Sequence, residues 1–219
     1  MGTGQRAIIA PAGRRQETVV SEPRLRVGIA GYGVVGARRR QHIDANPHLR
    51  TVAVSDVKFG GSGTLPDGVV FCQSWEGILA LGIDVLFVCL PNDVAPAATM
   101  AGLERGMHVF CEKPPGRSVE DIRRVIAVER AHPGLKLKYG FNHRYHDSVR
   151  DAKEIIDSGR YGSIINLRGV YGKSTIIPFS GGWRSQRAIA GGGILLDQGI
   201  HMLDMISLFC GDFEEIHSC

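Results

Sequence analysis

Cysteine is scarce in this 219-residue sequence, and its five copies, Cys72, Cys89, Cys111, Cys210 and Cys219, include no C-x-x-C pair. That excludes a disulfide framework and a cysteine zinc site. Most of the five sit in apolar, strand-like runs, which predicts reduced, buried thiols and a cytoplasmic protein. Long hydrophobic runs are missing too: the longest, Ile78 to Pro91, is broken by Asp84 and is shorter than the ~18 to 20 residues of a membrane span. No membrane partner is therefore expected. The first residues lack the long apolar stretch of a signal peptide, and no unit repeats. Charge of one sign is equally sparse, with 26 basic against 22 acidic residues and a net charge of +4. Arg38-Arg39-Arg40 is the one basic run of three, and it reads as a solvated helix face with no nucleic-acid partner. His143 and His146 stand at i, i+3, but no cysteine or carboxylate set completes a metal site.

Glycine, by contrast, is plentiful at 29 residues, and three of them are placed with purpose. The stretch Val27-Gly-Ile-Ala-Gly-Tyr-Gly-Val-Val-Gly36 runs from an apolar strand, Leu25 to Ala30, into G-x-G-x-x-G, and Ala37 to Asn46 continues as a helix. Gly31 suits the tight turn, Gly33 lets backbone amides approach a pyrophosphate, and Gly36 allows close helix-to-strand packing. The turn thus offers Gly31, Tyr32, Gly33, Val34, Val35 and Gly36 to a dinucleotide. A second strand, Thr51 to Asp56, ends in an acid 20 residues beyond Gly36. Asp56, with Val57 beside it, is placed to accept from ribose hydroxyls and repels a 2′-phosphate, so NAD is favoured over NADP; Lys58 softens the preference.

Past Asp56 the strand and helix signals alternate. Gly60 to Gly63 and Pro66 to Gly68 read as loops, Val69 to Cys72 as a strand and Trp75 to Leu81 as a brief helix. Asp84 to Leu90 is almost continuously apolar, as a strand covered on both faces should be. Asp93 is placed to cap a helix through Glu104, ended by Gly106. Met107 to Cys111 is the next strand, Ser118-Val-Glu-Asp121 a capping box for a helix to about Ala131, and Leu135 to Phe141 the last strand of the set. This order implies an α/β fold with a doubly wound parallel sheet and a ligand at the carboxyl ends of the strands. The residues there are Gly31 to Gly36, Asp56, Leu90-Pro91-Asn92, Glu112-Lys113-Pro114 and Asn142-His143-Arg144.

The strings LPN, CEKP and GFNHRY at those strand ends resemble the Gfo/Idh/MocA family of oxidoreductases, and the similarity covers about Leu25 to Phe213. Farther on, Asp147 to Ser158 reads as a helix stopped by Gly159, and Gly162 to Gly172 as a strand of alternating character. Gly191-Gly-Gly-Ile-Leu-Leu-Asp-Gln-Gly-Ile-His-Met-Leu-Asp204 resembles the family's active-site helix. At ~100° per residue, Leu195, Gly199, Met202 and Ile206 share one face, opposite Asp197, His201 and Asp204. An acid at i−4 is placed to orient the His201 ring and bias its pKa upward.

The resemblance implies a Rossmann-type NAD-binding domain over residues 25–144, after a flexible extension over 1–24. Residues 145–219 are then the start of an α+β domain with an open sheet, a second strand beginning at Phe213 to Ile216. It implies a dehydrogenase that oxidises a secondary alcohol of a sugar, cyclitol or nucleotide-linked sugar, or runs the reverse reduction. His201 is the general base, Lys113 the hydroxyl and alkoxide partner, and Asp197 the substrate or histidine orienter. Leu90, Pro91, Asn92, Glu112, Lys113, Asn142 and Arg144 fall to the cofactor, and Arg168, Trp183 and Arg184 to the substrate. A homo-oligomer is expected of the full-length protein, since family members end in a large open sheet that usually forms the interface. This chain is expected to be a fragment whose catalytic helix lacks its support. Two other readings are an NAD(P)-binding sensor without turnover and a nucleotide-binding module of another family. The first is disfavoured by Lys113, Asp197 and His201 together, the second by the EKP and GGGxxxDxGxHxxD strings.

Overall fold

The computed structural model describes residues 23–172 and 182–217. Strand β1 (Leu25–Ala30) leads into α1 (Val34–Ala45) and β2 (Leu49–Ser55), followed by β3 (Gly63–Thr64), β4 (Val70–Cys72) and α2 (Trp75–Ile78). Then come β5 (Val85–Val88), α3 (Ala95–Glu104), β6 (His108–Cys111), α4 (Val119–Ala131) and β7 (Leu137–Tyr139). They form one seven-stranded sheet in the order β3-β4-β2-β1-β5-β6-β7. Every neighbouring pair is parallel except the short β3–β4 edge, where β3 begins at the last residue of the expected loop Gly60 to Gly63 and β4 falls within the expected strand Val69 to Cys72.

The centre of the sheet is buried on both faces, which is why β5 reads as a continuous apolar run. On one side Ala30, Leu86, Val88 and Cys111 pack with Ile78, Ala98 and Leu103 of the helical layer. On the other, Val27, Ile29 and Val54 pack with Ile43 of α1. Small residues set the spacing between layers: a Cβ on Gly36 would lie 2.0 Å from the Gly31 carbonyl oxygen, so α1 starts tight against the end of β1.

The helix ends follow local chemistry, with one exception. Ser118 accepts from the Asp121 amide at 3.2 Å as a capping residue should, while the Asp121 carboxylate reaches back to the Arg117 amide at 3.0 Å. Asp93 does not cap α3: its Oδ1 is buried without a partner, and Val94 occupies the cap position ahead of Pro96 in the first turn.

Beyond β7 the chain is helical and irregular. A 3₁₀ turn (Asn142–Tyr145) precedes α5 (Asp147–Asp157), and a second one (Trp183–Ser185) precedes α6 (Arg187–Ala190). A π turn (Leu195–Gly199) then runs into α7 (Ile200–Cys210). The alternating stretch 162–172 is not a strand, and neither is 213–216; Ile165 is 98% exposed and Val170 85%. A strand needs a ladder partner, and among the described residues neither stretch has one. By length and composition Arg187–Cys210 is apolar enough to cross a membrane. It is not one continuous helix, however: Gly191, at φ 81, breaks it, and in its second part Asp197 pairs with Lys113 and Asp204 with Arg144.

Replacing Gly36 with alanine should cost about 1–3 kcal/mol from overpacking. Urea unfolding of Gly36→Ala beside the parent measures it; an unchanged midpoint would show that α1 can move aside.

Candidate active site

The chain leaves β1 toward β2 on one side and β5 toward β6 on the other, so a crevice opens at the carboxyl ends of β1 and β5. The loop above it is held by two bonds, from the Gly31 and Tyr32 amides to the Ser55 carbonyl at 2.9 and 2.8 Å. Gly31 takes φ 92, a conformation a side chain disfavours. Over Gly33 there is open space, since a Cβ there meets nothing within 4 Å. Gly33 caps the 12-residue α1 with no side-chain hydrogen bond, so the first-turn amides point outward unclaimed. A pyrophosphate fits those donors and that space. Asp56 lies at the end of β2 and accepts from the Lys58 amide at 3.0 Å.

Three arginines follow that turn, and the expectation that all form a solvated face fails for two. Arg39 pairs with Glu112 at 2.5 Å, and its guanidinium lies 5.0 Å from the centre of the Phe110 ring. Arg40 donates to the Tyr32 hydroxyl at 3.0 Å, pairs with Asp44 at 3.2 Å and also binds Asp67. Only Arg38 is exposed as expected. Spacing along a helix does not reveal that acids from β6 and a distant loop will meet it.

Opposite the dinucleotide turn, the segment 187–210 is fastened to the strand ends. Lys113, just past β6, donates from Nζ to the Asp197 carbonyl at 2.7 Å and lies 3.4 Å from its carboxylate Oδ1. Asn92, buried past β5, donates to the Ala190 carbonyl at 2.8 Å. Arg117 reaches the Ala188 carbonyl at 2.7 Å, and Arg144 grips both carboxylate oxygens of Asp204 through Nε at 2.9 Å. Asn92, Glu112 and Arg144, expected at the cofactor, therefore spend polar groups on holding the protein together. The segment that carries His201 does not lack support; residues at the sheet's strand ends and in the loops after them hold it.

The polar stripe read from the sequence holds through the π turn: Leu195 is 68% exposed while His201 is 6% exposed. Asp197, His201 and Asp204 form the inward stripe. Asp197 does not orient His201, because its carboxylate is taken by Lys113, by Gln198 Nε2 at 2.8 Å and, at 3.9 Å, by Arg184. Burial alone would raise the Asp197 pKa; the Gln198 hydrogen bond and the Lys113 and Arg184 charges together hold it below the ordinary value. His201 moves opposite to the sequence expectation, its pKa lowered to about 4. Burial is the main cause, followed by the Lys113 and His143 charges, against which Asp204 and Asp197 pull weakly.

His201 lies against rings that no spacing rule connects. The His143 ring is stacked on it at 4.2 Å and 30°, with Tyr171 at 5.9 Å and Phe141 edge-on at 6.3 Å. No three potential metal ligands converge among the described residues. Trp183 and Arg184 stack at 4.5 Å beside a cavity of about 730 Å³ that Arg184, Arg187, Gly193 and Asp197 line, while Arg168 is exposed. Of the thiols, Cys72 and Cys111 are buried, Cys89 is partly buried and Cys210 is exposed; Cys219 lies outside the described residues. Burial pushes the Cys111 thiol up to about 12 and raises Cys89 as well, so neither is a nucleophile at neutral pH.

Comparison with known proteins agrees with this geometry. Residues 25–141 match the model of the oxidoreductase family with an NAD-binding Rossmann fold, Gfo/Idh/MocA, and residues 149–219 match that family's C-terminal domain. The chain belongs to the Gfo/Idh/MocA family. It is 32% identical over 196 residues to the D-glucoside 3-dehydrogenase of Escherichia coli, covering 86% of this chain and 54% of that one. It is 29% identical to the levoglucosan dehydrogenase of Pseudarthrobacter phenanthrenivorans, over 82% of this chain and 44% of that one. Among solved structures, an NAD-binding protein from Listeria innocua superposes with a TM-score of 0.71 at 27% identity, over 86% and 53% of the two chains. The scyllo-inositol dehydrogenase of Lactobacillus casei, with bound NAD(H) and scyllo-inositol, shares the fold at a TM-score of 0.67 and 24% identity, over 86% and 56%. The chain spans about half the length of the curated relatives it matches.

The depressed pKa of His201 links protons to stability. The unfolded imidazole binds a proton near its ordinary 6.5, the folded one only near 4. Its contribution is therefore present above about pH 6.5 and is lost as pH falls toward 4. Chemical denaturation at pH 7 and pH 5 should show the parent weakened at pH 5, and His201→Asn weakened less; equal losses would contradict the assignment.

Proposed function

We propose that this chain serves an NAD-dependent oxidoreductase acting on a secondary alcohol of a sugar, cyclitol or nucleotide-linked sugar, or on the corresponding ketone in reverse. The observation that carries the reading is the meeting of Lys113 and Asp197 beside a buried His201, across from an open dinucleotide turn. Residues 25–144 hold the cofactor, and the segment after them brings the substrate groups. The names of the relatives, a glucoside and a levoglucosan dehydrogenase among them, favour the same substrate class.

The amides of Gly31 to Gly36 would hold the pyrophosphate of NAD and Asp56 its ribose, and NAD so held would supply the hydride acceptor. Leu90, Pro91 and Asn142 line the approach from the neighbouring strand ends. His201, uncharged above about pH 4, takes the hydroxyl proton. Lys113 stabilises the developing alkoxide with its ammonium, which Asp197 aims. Arg184 and Trp183 form the outer wall for the sugar ring, with Arg168 farther out. Free Cys72, Cys89, Cys111 and Cys210 suit a reducing compartment, and we assign the protein to the cytoplasm. The exposed Ile194 and Leu195 favour assembly as a homo-oligomer.

Incubation with NAD and a panel of sugars and cyclitols, followed by the absorbance of reduced nicotinamide, tests the reading. Lys113→Ala and His201→Ala should each slow turnover roughly 10²- to 10⁴-fold, and undiminished turnover in either removes that residue from the mechanism. In the parent, kcat/KM should stay level as pH falls through 6.5 and drop only toward about 4. Asp56→Asn should narrow the preference for NAD over NADP, as read from the two dissociation constants; an unchanged ratio would take Asp56 away from the ribose.

A further inference from the structure

A catalytic histidine usually has its orientation set by a hydrogen bond on the nitrogen away from the substrate, from a carboxylate or a backbone carbonyl. Among the described residues His201 has no such anchor: none of them partners its buried Nδ1 or hydrogen-bonds the ring. The acid expected to fill that role, Asp197, is committed to Lys113, Gln198 and Arg184, and Asp204 is committed to Arg144. An imidazole left so would turn about its side-chain bonds unless something flat held it.

The flat partner is His143, whose ring lies on that of His201 at 4.2 Å and 30°. It comes from the 3₁₀ turn after β7, and the adjacent Arg144 is fixed by its grip on Asp204, one turn along α7 from His201. Tyr171 stands beside both rings, 5.5 Å from His143 and 5.9 Å from His201, and Phe141 presents its edge to His201. We propose that His143 is a positioning residue for His201, fixing the plane of the buried imidazole by ring-on-ring contact in place of a hydrogen bond. This rests on the reading of His201 as the base.

The contact also shapes the proton chemistry. The groups facing His201 are Lys113 from the end of β6, His143 from the 3₁₀ turn, and Asp197 and Asp204 from its own helical segment. Covering one face of the ring keeps water away, which favours the uncharged form. His143 is itself lowered, first by burial and then by the charge of His146, whose ring lies 5.1 Å away. Both stacked rings are thus uncharged at pH 7, and the charge His143 takes up on acidification opposes protonation of His201. The orphan Nδ1 leaves the tautomer unfixed by any described residue, so the stack sets the plane of the ring while a bound hydroxyl selects the nitrogen that accepts.

The test is a histidine proton NMR titration of the 219-residue chain and its variants, with the His201 signal identified by its loss in His201→Asn. His143→Phe keeps a flat ring, whereas His143→Ala and His143→Gln remove it. In the parent the His201 signal should remain in its neutral position until the pH nears 4. The Phe variant, which loses the His143 charge but keeps the flat cover, should titrate only a little higher, and the Ala and Gln variants about one unit or more above the Phe variant as water reaches the ring. A midpoint unmoved in Ala and Gln, or moved as far in Phe, overturns the proposal. The titration needs no turnover, so its outcome stands apart from the sugar panel. Loss of the base role would appear in His201→Ala kinetics, and loss of the positioning role in the titration alone.

Discussion

The contact between Lys113 Nζ and the Asp197 backbone carbonyl is the one on which the rest of the site depends. It joins the end of a central strand to the π turn of the helical segment, two places 84 residues apart in the chain. Hydrogen bonds to charged groups contribute about 1.5–3 kcal/mol, more than the 0–1 kcal/mol of a surface ion pair, and this one is only partly exposed. Beside it the Asn92, Arg117 and Arg144 contacts act in the same direction, from three other strand ends and loops. The helix that carries His201 is thus placed by polar ties, with little apolar burial of its own beyond Ala190 and Met205.

These ties also set the local electrostatics. Each carboxylate near His201 already has a cation, and a carboxylate so paired does little to raise a neighbouring imidazole. Burial and the Lys113 ammonium then decide the outcome, and the ring stays neutral. In the reaction we propose, the same ammonium that lowers His201 would favour an alkoxide, so one charge would prepare both partners of the proton transfer. The exposed Leu195 and Ile194 show the other consequence of an inward polar stripe: the apolar side of the segment is turned outward.

The sheet and its strand ends were legible in the sequence because their signals are local. Apolar runs, capping residues and three glycines at fixed spacing each report on a few neighbouring positions, and Leu25–Ala30 and Val119–Ala131 fall where those signals place them. The stretch 162–172 misled because its alternation has the period of a strand but no partner to pair with. Arg39, Arg40 and His143 misled for the opposite reason. Their neighbours on the sequence suggest a solvated face and a stray pair of histidines, whereas their partners Glu112, Asp67 and His201 are dozens of residues away. The direction of the His201 pKa was illegible on the same ground, since an acid at i−4 is visible in the sequence and the burial of the ring, the main cause of the shift, is not.

Asn92 shows what this arrangement means for binding. The loop that donates to Ala190 follows the strand beside the dinucleotide turn, so the docking of the helix and the shape of the cofactor crevice share one hinge point. Any coupling between two equilibria is reciprocal. If a bound dinucleotide holds the Asn92 loop, it holds the helix docked through the same hydrogen bond, and the docked helix favours the dinucleotide by the same factor. Hydrogen exchange along 187–210 would then report on events at glycines on the other side of the crevice.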